Sequence, residues 1–367
     1  MEKICVFCGA YYNSGISQYA LTLANTYKNL GYNVSMVIPE TNDIVIPEVL
    51  PRKYYHIGKR HVFIGKYAKS IASWIEIEGF DFVFFTDNSN FTTRVIPLLK
   101  TVMKVVTIHD VYAHSSYSGF DERLKLAIID RRMRSVLNVT DAVVLLSKNS
   151  FDNFIKRYPK YEAKAVKMNL GAHVPLVSSS VRPYELDAKK WNNYLLFFGR
   201  IDKYKGVANL IEAYSASRKK LGLVVAGRNL GLEMTELDGS KGIVTLYRFV
   251  SNEEMVWLFE HAKFCILPYM DATQSGVLPI AYKFRVPVIA SDVAGLNEFI
   301  VDGKTGFLIP VGDITALYKA VEMCYDMTDE EYVQLQANID EYFNLKFNWN
   351  RNLTEAMNEI ESKYSSK

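Results

Sequence analysis

The stretch "FFGRIDKYKG" sets two cations, Arg200 and Lys205, around a short loop between an apolar run and a helical one. A guanidinium can grip two phosphate oxygens at once, and an ammonium adds a point charge. The pair could therefore clamp a diphosphate at the mouth of a strand–loop–helix unit. Two solvated loop charges are the competing reading. A second such place is "DATQSGVLPIAYKFRVPVIASDVAGLNE", Asp271 to Glu298. Ser275 and Gly276 stand where its helix should begin, and free backbone N–H groups with the helix dipole favour an anion there. Gly276 permits close backbone approach, the Ser275 hydroxyl can add a donor, and Pro279 suits a first helical turn. An ordinary N-cap with a glycine turn is the alternative. Gly295 and Glu298 mark another strand end. Glu298 could accept from a sugar hydroxyl, although capping the next helix is the reading its position favours.

"VVTIHDVYAH" puts His109 and Asp110 at the end of an apolar run, where a histidine can hydrogen-bond a sugar or move a proton. His109 and His114 lack a third ligand at sensible spacing, and no Asp-x-Asp precedes a turn, so no metal site is expected. "RLKLAIIDRRMRS" groups Arg123, Lys125, Arg131, Arg132 and Arg134 with apolar residues. It reads as a solvated helix face or as one that meets anionic lipid. Cys5 and Cys8 form a C-x-x-C inside the apolar "KICVFCG", which favours core cysteines over a redox or zinc motif.

The elements that must position these residues repeat one pattern. "KICVFCG" is a strand run. "ISQYALTLANTYKNLG" has apolar residues at helical spacing and a glycine stop, and "YNVSMVIPE" is the next strand. "FDFVFFTDN", "VMKVVTIHD" and "VTDAVVLLSKNS" are further strands that end in polar residues, the edge where open α/β sheets bind ligands. The periodicity breaks down between residues 169 and 193, then a second α/β series begins with "YLLFFGR". The fold expected is α/β, with two facing Rossmann-like, doubly wound domains and a cleft between them. Residues 1–174 form the first domain, 175–190 a linker, 191–345 the second domain, and 346–367 a helix packing back on the first. No G-x-G-x-x-G follows a strand directly, which weakens a dinucleotide-cofactor reading.

The chain has 367 residues, room for two domains, and its 49% hydrophobic and 23% charged content places it among folded proteins. Residues 1–174 carry 22 Lys and Arg against 15 Asp and Glu, so the first half is basic. That suggests an anionic partner such as a membrane surface or a phosphorylated acceptor, or else unselected surface charge. No apolar run is long enough to span a bilayer. The N-terminus has an acid at position 2 and no adequate apolar core for a signal peptide. The expected location is cytoplasmic, with any membrane contact peripheral at the inner face of the cell membrane.

Taken in order, these segments resemble the nucleotide-sugar glycosyltransferases of family 4, which have the GT-B fold. "GRIDKYKGVANLIEAY" resembles that family's G-R-x(4)-K-G pattern. "VTDAVVLLSKNS" resembles its "aD-vi-lS" strand, and "VPVIASDVAGLNEFIVDGKTGFLIPVGD" its "PVia-dvgG-pE-v-dg-tGfl-pgd" run. "IHD" and "NSGISQYALTLA" match the first domain. One departure matters. The family's two glutamates, eight apart, fall on Thr273 and Ala281, so both carboxylates are missing. The "Q-S-G-V-L-x-x-A" form resembles a branch that makes bacterial surface polysaccharides.

The resemblance implies a retaining, metal-independent hexosyltransferase without a resident cofactor. Its donor would be a nucleotide diphosphate sugar, UDP-linked in preference to GDP-linked. Its acceptor would be a glycan or a polyprenyl-diphosphate-linked glycan in O-antigen, capsule or exopolysaccharide synthesis. Nucleic acid is not an expected partner. Arg200, Lys205 and His109 would take the catalytic roles. Gly15, Gly199, Arg248, Gln274, Ser275, Gly276, Val277 and Glu298 would line the nucleotide-sugar site. In the family's pattern the first glutamate contacts the donor sugar and the second the ribose. Here Gln274, Ser275 or Asp271 would have to substitute. Two rivals stand beside this reading: a non-hydrolysing nucleotide-sugar epimerase, which needs carboxylate pairs the sequence does not offer, and a partner subunit that binds sugar nucleotides without turnover.

Overall fold

The structure is a computed structural model of the chain. It describes residues 2–9, 15–39, 51–55, 64–112, 120–174, 177–187, 189, 191–231, 242–272 and 274–365. The chain divides into two compact units: Met1–Leu170 with Trp349–Lys367, and Gly171–Asn348.

Unit 1 is built on strands β1 (Lys3–Phe7), β2 (Asn33–Pro39), β3 (Arg52–Tyr55), β4 (Phe82–Phe85), β5 (Met103–Ile108), β6 (Ala142–Leu145) and β7 (Ala165–Lys167). Its helices are α1 (Gly15–Asn29), α2 (Ile64–Glu78), α3 (Thr92–Val95), α4 (Phe120–Val139) and α5 (Lys148–Arg157). The strands pair in parallel in the order β3-β2-β1-β4-β5-β6-β7. Runs such as "FVFF" are apolar without interruption because a parallel sheet flanked by helices is buried on both faces. Alternate residues feed two cores. Cys5, Phe7 and Phe85 pack on one side, and Ile4, Val6, Cys8 and Phe84 on the other. Both cysteines are buried thiols on opposite faces of the sheet, as core residues three apart in a strand must be.

Unit 2 repeats the plan with β8 (Tyr194–Phe198), β9 (Gly222–Ala226), β10 (Ile243–Leu246), β11 (Ala262–Leu267), β12 (Val288–Ser291) and β13 (Gly306–Ile309). Its helices are α6 (Val207–Ala216), α7 (Asn252–His261), α8 (Val277–Lys283), α9 (Ala294–Asn297), α10 (Ile314–Asp326) and α11 (Asp329–Lys346). The order is β10-β9-β8-β11-β12-β13, again all parallel. In both sheets the chain winds outward from the first strand, returns, and winds the other way. The order therefore reverses between β1 and β4 and between β8 and β11, and such switch points are where open α/β sheets take ligands.

Two features depart from the periodicity. The last helix, α12 (Trp349–Ser365), starts after a separate α11, and both are continuous helices at positions where the sequence shows no glycine stop. In α12, Leu353, Ala356, Met357 and Ile360 are buried in the same core as α1, and Tyr27 donates a 3.0 Å hydrogen bond to the Met357 sulfur. The described part of 175–190 is fastened to unit 2. Val181 N–H donates to Glu253 O at 3.1 Å, and Leu186 is fully buried. A segment that anchors an apolar side chain in a core is part of the domain, not a linker.

Candidate functional site

The carboxyl ends of β8 and β9 leave the sheet through two glycines. Gly199 has φ 129° and Gly227 φ 145°. A Cβ on Gly227 would lie 1.9 Å from the Gly199 carbonyl oxygen, so no other residue fits. The loop after β8 then carries Arg200, which is exposed, and its Nη2 donates to the Tyr204 hydroxyl at 3.2 Å. A single 3-10 turn, Lys203–Lys205, follows and ends at Gly206, whose φ of 67° opens α6.

Lys205 is half-buried. Its Nζ lies 3.5 Å from the centroid of the Tyr269 ring and 5.0 Å from that of Tyr204. Among the described residues no carboxylate forms an ion pair with it. Burial, reinforced by the neighbouring Arg200 charge and opposed by Asp202, lowers its pKa to about 7. The loops after β8 and β11 are bound together: Met270 N–H donates to Tyr204 O at 2.7 Å. The loop after β12 joins them through Gly295 N–H and Ala272 O at 3.1 Å.

Gln274, Ser275 and Gly276 lie on the loop after β11, and Val277 opens α8. The Ser275 oxygen accepts from Val277 N–H at 3.3 Å. A Cβ built on Gly199 would sit 3.7 Å from Val277 Cγ2, so the structure brings these two expected site residues together across the switch point. Gly276 has an ordinary φ of −73°, and a Cβ there would meet nothing within 4 Å. A ligand can approach the Gly276 backbone from that side. Glu298 falls at the C-terminal end of α9, half-buried. No helix begins there, because "AGLN" itself forms a short helix, so the capping expectation fails. Ala281 has no exposed surface, and position 273 lies outside the described residues. A residue sealed in the core offers a ribose no contact.

Arg248 has a different setting. It follows the edge strand β10, and its guanidinium is held by Glu185 (2.7 and 2.8 Å) and Glu254 (2.7 and 2.8 Å). Those hydrogen bonds raise its pKa and lower that of Glu254. Glu254 also closes a capping box with Ser251 at the start of α7. In this arrangement Arg248 is a clamp within unit 2, and its charge is already neutralised.

In unit 1, His109 follows β5. Its Nε2 lies 2.8 Å from Thr86 O, and its ring meets Tyr19 edge-on at 5.4 Å. A carbonyl only accepts, so the neutral ring carries its hydrogen on Nε2 and keeps Nδ1 as an acceptor. Burial lowers its pKa, against the Thr86 bond and the charges of Asp110 and Asp87. Gly15 is the exposed first residue of α1, with nothing within 4 Å of a Cβ there. Sequence reasoning missed Asp87, which is 2% exposed. It accepts from Gly9 N–H (2.6 Å), Ser89 N–H (2.8 Å) and the Thr92 hydroxyl (2.7 Å). The signal was an aspartate two residues before a serine at a strand exit, an Asx-turn pattern. On α4, Arg131, Arg132 and Arg134 are exposed, and Arg134 pairs with Asp130 at 2.8 Å. The side chains of Arg123 and Lys125 lie outside the described residues, as does His114. Among the described residues, no helix is long and apolar enough to cross a membrane, and no group of three or more His, Cys, Asp or Glu could hold a metal ion.

Comparison with known proteins agrees with this architecture. Residues 13–167 match the family described as Glycosyltransferase Family 4, and residues 192–327 the family described as Glycosyl transferases group 1. The chain is 30% identical over 139 residues to an alpha-D-kanosaminyltransferase of Streptomyces kanamyceticus, covering 36% of each chain. It is 20% identical over 272 residues to the O-antigen chain mannosyltransferase B of Escherichia coli, covering 69% of each. It spans 36–57% of the length of the first curated relatives it matches. An Anabaena protein solved in complex with UDP and glucose superposes with a TM-score of 0.74 at 15% identity, covering 98% of this chain and 100% of that one. The chain thus carries a glycosyltransferase family 4 domain followed by a group 1 glycosyl transferase domain, on the GT-B fold.

Proposed function

We propose that the protein is a retaining, metal-independent glycosyltransferase that transfers a sugar from a nucleotide diphosphate sugar to a glycan or polyprenyl-diphosphate-linked glycan of a surface polysaccharide. The donor binds mainly unit 2, UDP-linked in preference to GDP-linked, and the acceptor mainly the basic unit 1. The carrying observation is the cation pair at the β8/β11 switch. Arg200 and Lys205 leave one loop, and neither is ion-paired to a carboxylate among the described residues. In the reaction the bond from the sugar's anomeric carbon to the diphosphate oxygen breaks, and the departing oxygen gains negative charge. Arg200, Lys205 and the N–H groups around Gly276 stabilise that charge. The acceptor hydroxyl attacks on the same face, and its proton passes to the leaving diphosphate. The Anabaena protein's UDP and glucose support the donor class. The Escherichia coli relative's name supports the polysaccharide setting.

The test is a thermal-shift screen of UDP- and GDP-sugars on the full chain, followed by donor-hydrolysis and transfer assays. Stabilisation should scale with affinity. Absence of any response to either nucleotide class would sink the reading. The sealed Ala281 at the family's second glutamate position favours one rival, a binding subunit without turnover. Nucleotide binding with no hydrolysis or transfer would select it.

A further inference from the structure

We propose that Tyr269 is a positioning residue for the diphosphate grip, its ring face holding the Lys205 ammonium in place without neutralising it. This rests on the reading of Lys205 as a diphosphate ligand. The ring is fully buried, and Nζ stands 3.5 Å from its centroid. Both flanks of the pair are tied. Gly206 abuts the Pro268 carbonyl so closely that a Cβ would lie 1.9 Å from it, and Met270 N–H donates to Tyr204 O. The loop that carries Lys205 and the strand exit that carries Tyr269 therefore move together.

A lysine that must wait for an anion needs something to fix its four rotatable bonds. A carboxylate would do so, but it would cancel the field that attracts the diphosphate, as Glu185 and Glu254 do for Arg248. An aromatic face attracts the ammonium through its quadrupole and brings no opposing charge to the site. Among the described residues, the other charged or titratable groups acting on Lys205 are Arg200, Asp202 and Tyr204. Of these only Asp202 is acidic, and it forms no ion pair with the ammonium. The interaction belongs to the ring, since the 3.5 Å approach is to the ring centroid.

Calorimetry of UDP and GDP binding to the full chain tests this, with uridine and guanosine as phosphate-free controls. Tyr269→Leu should weaken diphosphate binding about tenfold, and Tyr269→Phe should restore it, because phenylalanine keeps the π face. Pentafluorophenylalanine at 269 keeps the shape and reverses the quadrupole. It should weaken UDP and GDP about tenfold relative to phenylalanine, with nucleoside binding and melting temperature unmoved. Equal diphosphate affinity for the phenylalanine and pentafluorophenylalanine proteins would overturn the proposal while leaving Lys205 as a ligand. A loss in Tyr269→Phe as large as in Tyr269→Leu would overturn it too, since the hydroxyl would then carry the effect. If the unaltered chain binds neither diphosphate, or Lys205→Met binds as well as it does, the diphosphate reading itself fails.

Discussion

Gly206 and Pro268 approach so closely that a single methyl group on Gly206 would lie 1.9 Å from the Pro268 carbonyl oxygen. This contact sets the spacing between the loops after β8 and β11, and with it the position of Lys205. Gly206 also has φ 67°, a region that side chains with a Cβ enter at a cost. Gly206→Ala is expected to lower stability by about 1–3 kcal/mol and to weaken donor binding beyond that. Gly276→Ala is the contrast. With φ −73° and open space it should keep the melting temperature, yet weaken the donor if a ligand reaches that backbone. Denaturation and calorimetry on both variants separate the two effects.

Arg200→Ala and Lys205→Ala should each lower turnover several hundredfold. Removing one donor to a developing anion costs about 3–4 kcal/mol. Single-turnover rates on bound donor are the measurement. A near wild-type rate in either variant would remove that residue from the mechanism.

The lowered pKa of Lys205 makes binding and stability depend on pH in opposite senses. At about 7, below its ordinary 10.5, the folded chain holds the proton less tightly than the unfolded chain. The charged ammonium therefore opposes folding fully below about pH 7. Stability contributed by this group rises as pH increases through the interval above that value. A bound diphosphate restores the proton, so donor binding should take up a proton near pH 8 and weaken from pH 7 to 9. Calorimetry in buffers of different ionisation heat reads the uptake. Lys205→Met should raise the melting temperature more at pH 6 than at pH 9, and should abolish the proton uptake.

Asp87 joins the exits of β1 and β4 by accepting from Gly9 N–H in a buried bond, and it holds its own loop by accepting from Ser89 N–H, half-buried, and from the buried Thr92 hydroxyl. Asp87→Ala should cost about 3 kcal/mol or more, because three donors lose their acceptor, two of them out of water. Asp87→Asn keeps one acceptor oxygen and should cost less. Urea unfolding of both variants decides, and equal stability for Ala and the native residue would mean the loops hold without the carboxylate.

The sequence by itself determined the two α/β units and the places where their strands end. Short apolar runs closed by glycine or a polar residue, recurring in alternation with helical patterns, read as buried parallel strands. "FFGRIDKYKG" therefore announced both its loop and its cations. What it left open was the partner of each charge, because charges meet across strands that are distant in the chain. Arg200, Lys205 and Arg248 are equal cations in the sequence. Only the β8–β11 adjacency sets Lys205 over Tyr269 rather than against a carboxylate. Only the placement of Tyr184–Leu186 beside β10 gives Arg248 a second carboxylate, Glu185, besides Glu254 of α7. The Asx-turn at Asp87 was visible in the sequence, but its bond to Gly9 exists only because β1 and β4 stand side by side. Electrostatic function is a property of neighbours, and neighbours are assigned by tertiary structure.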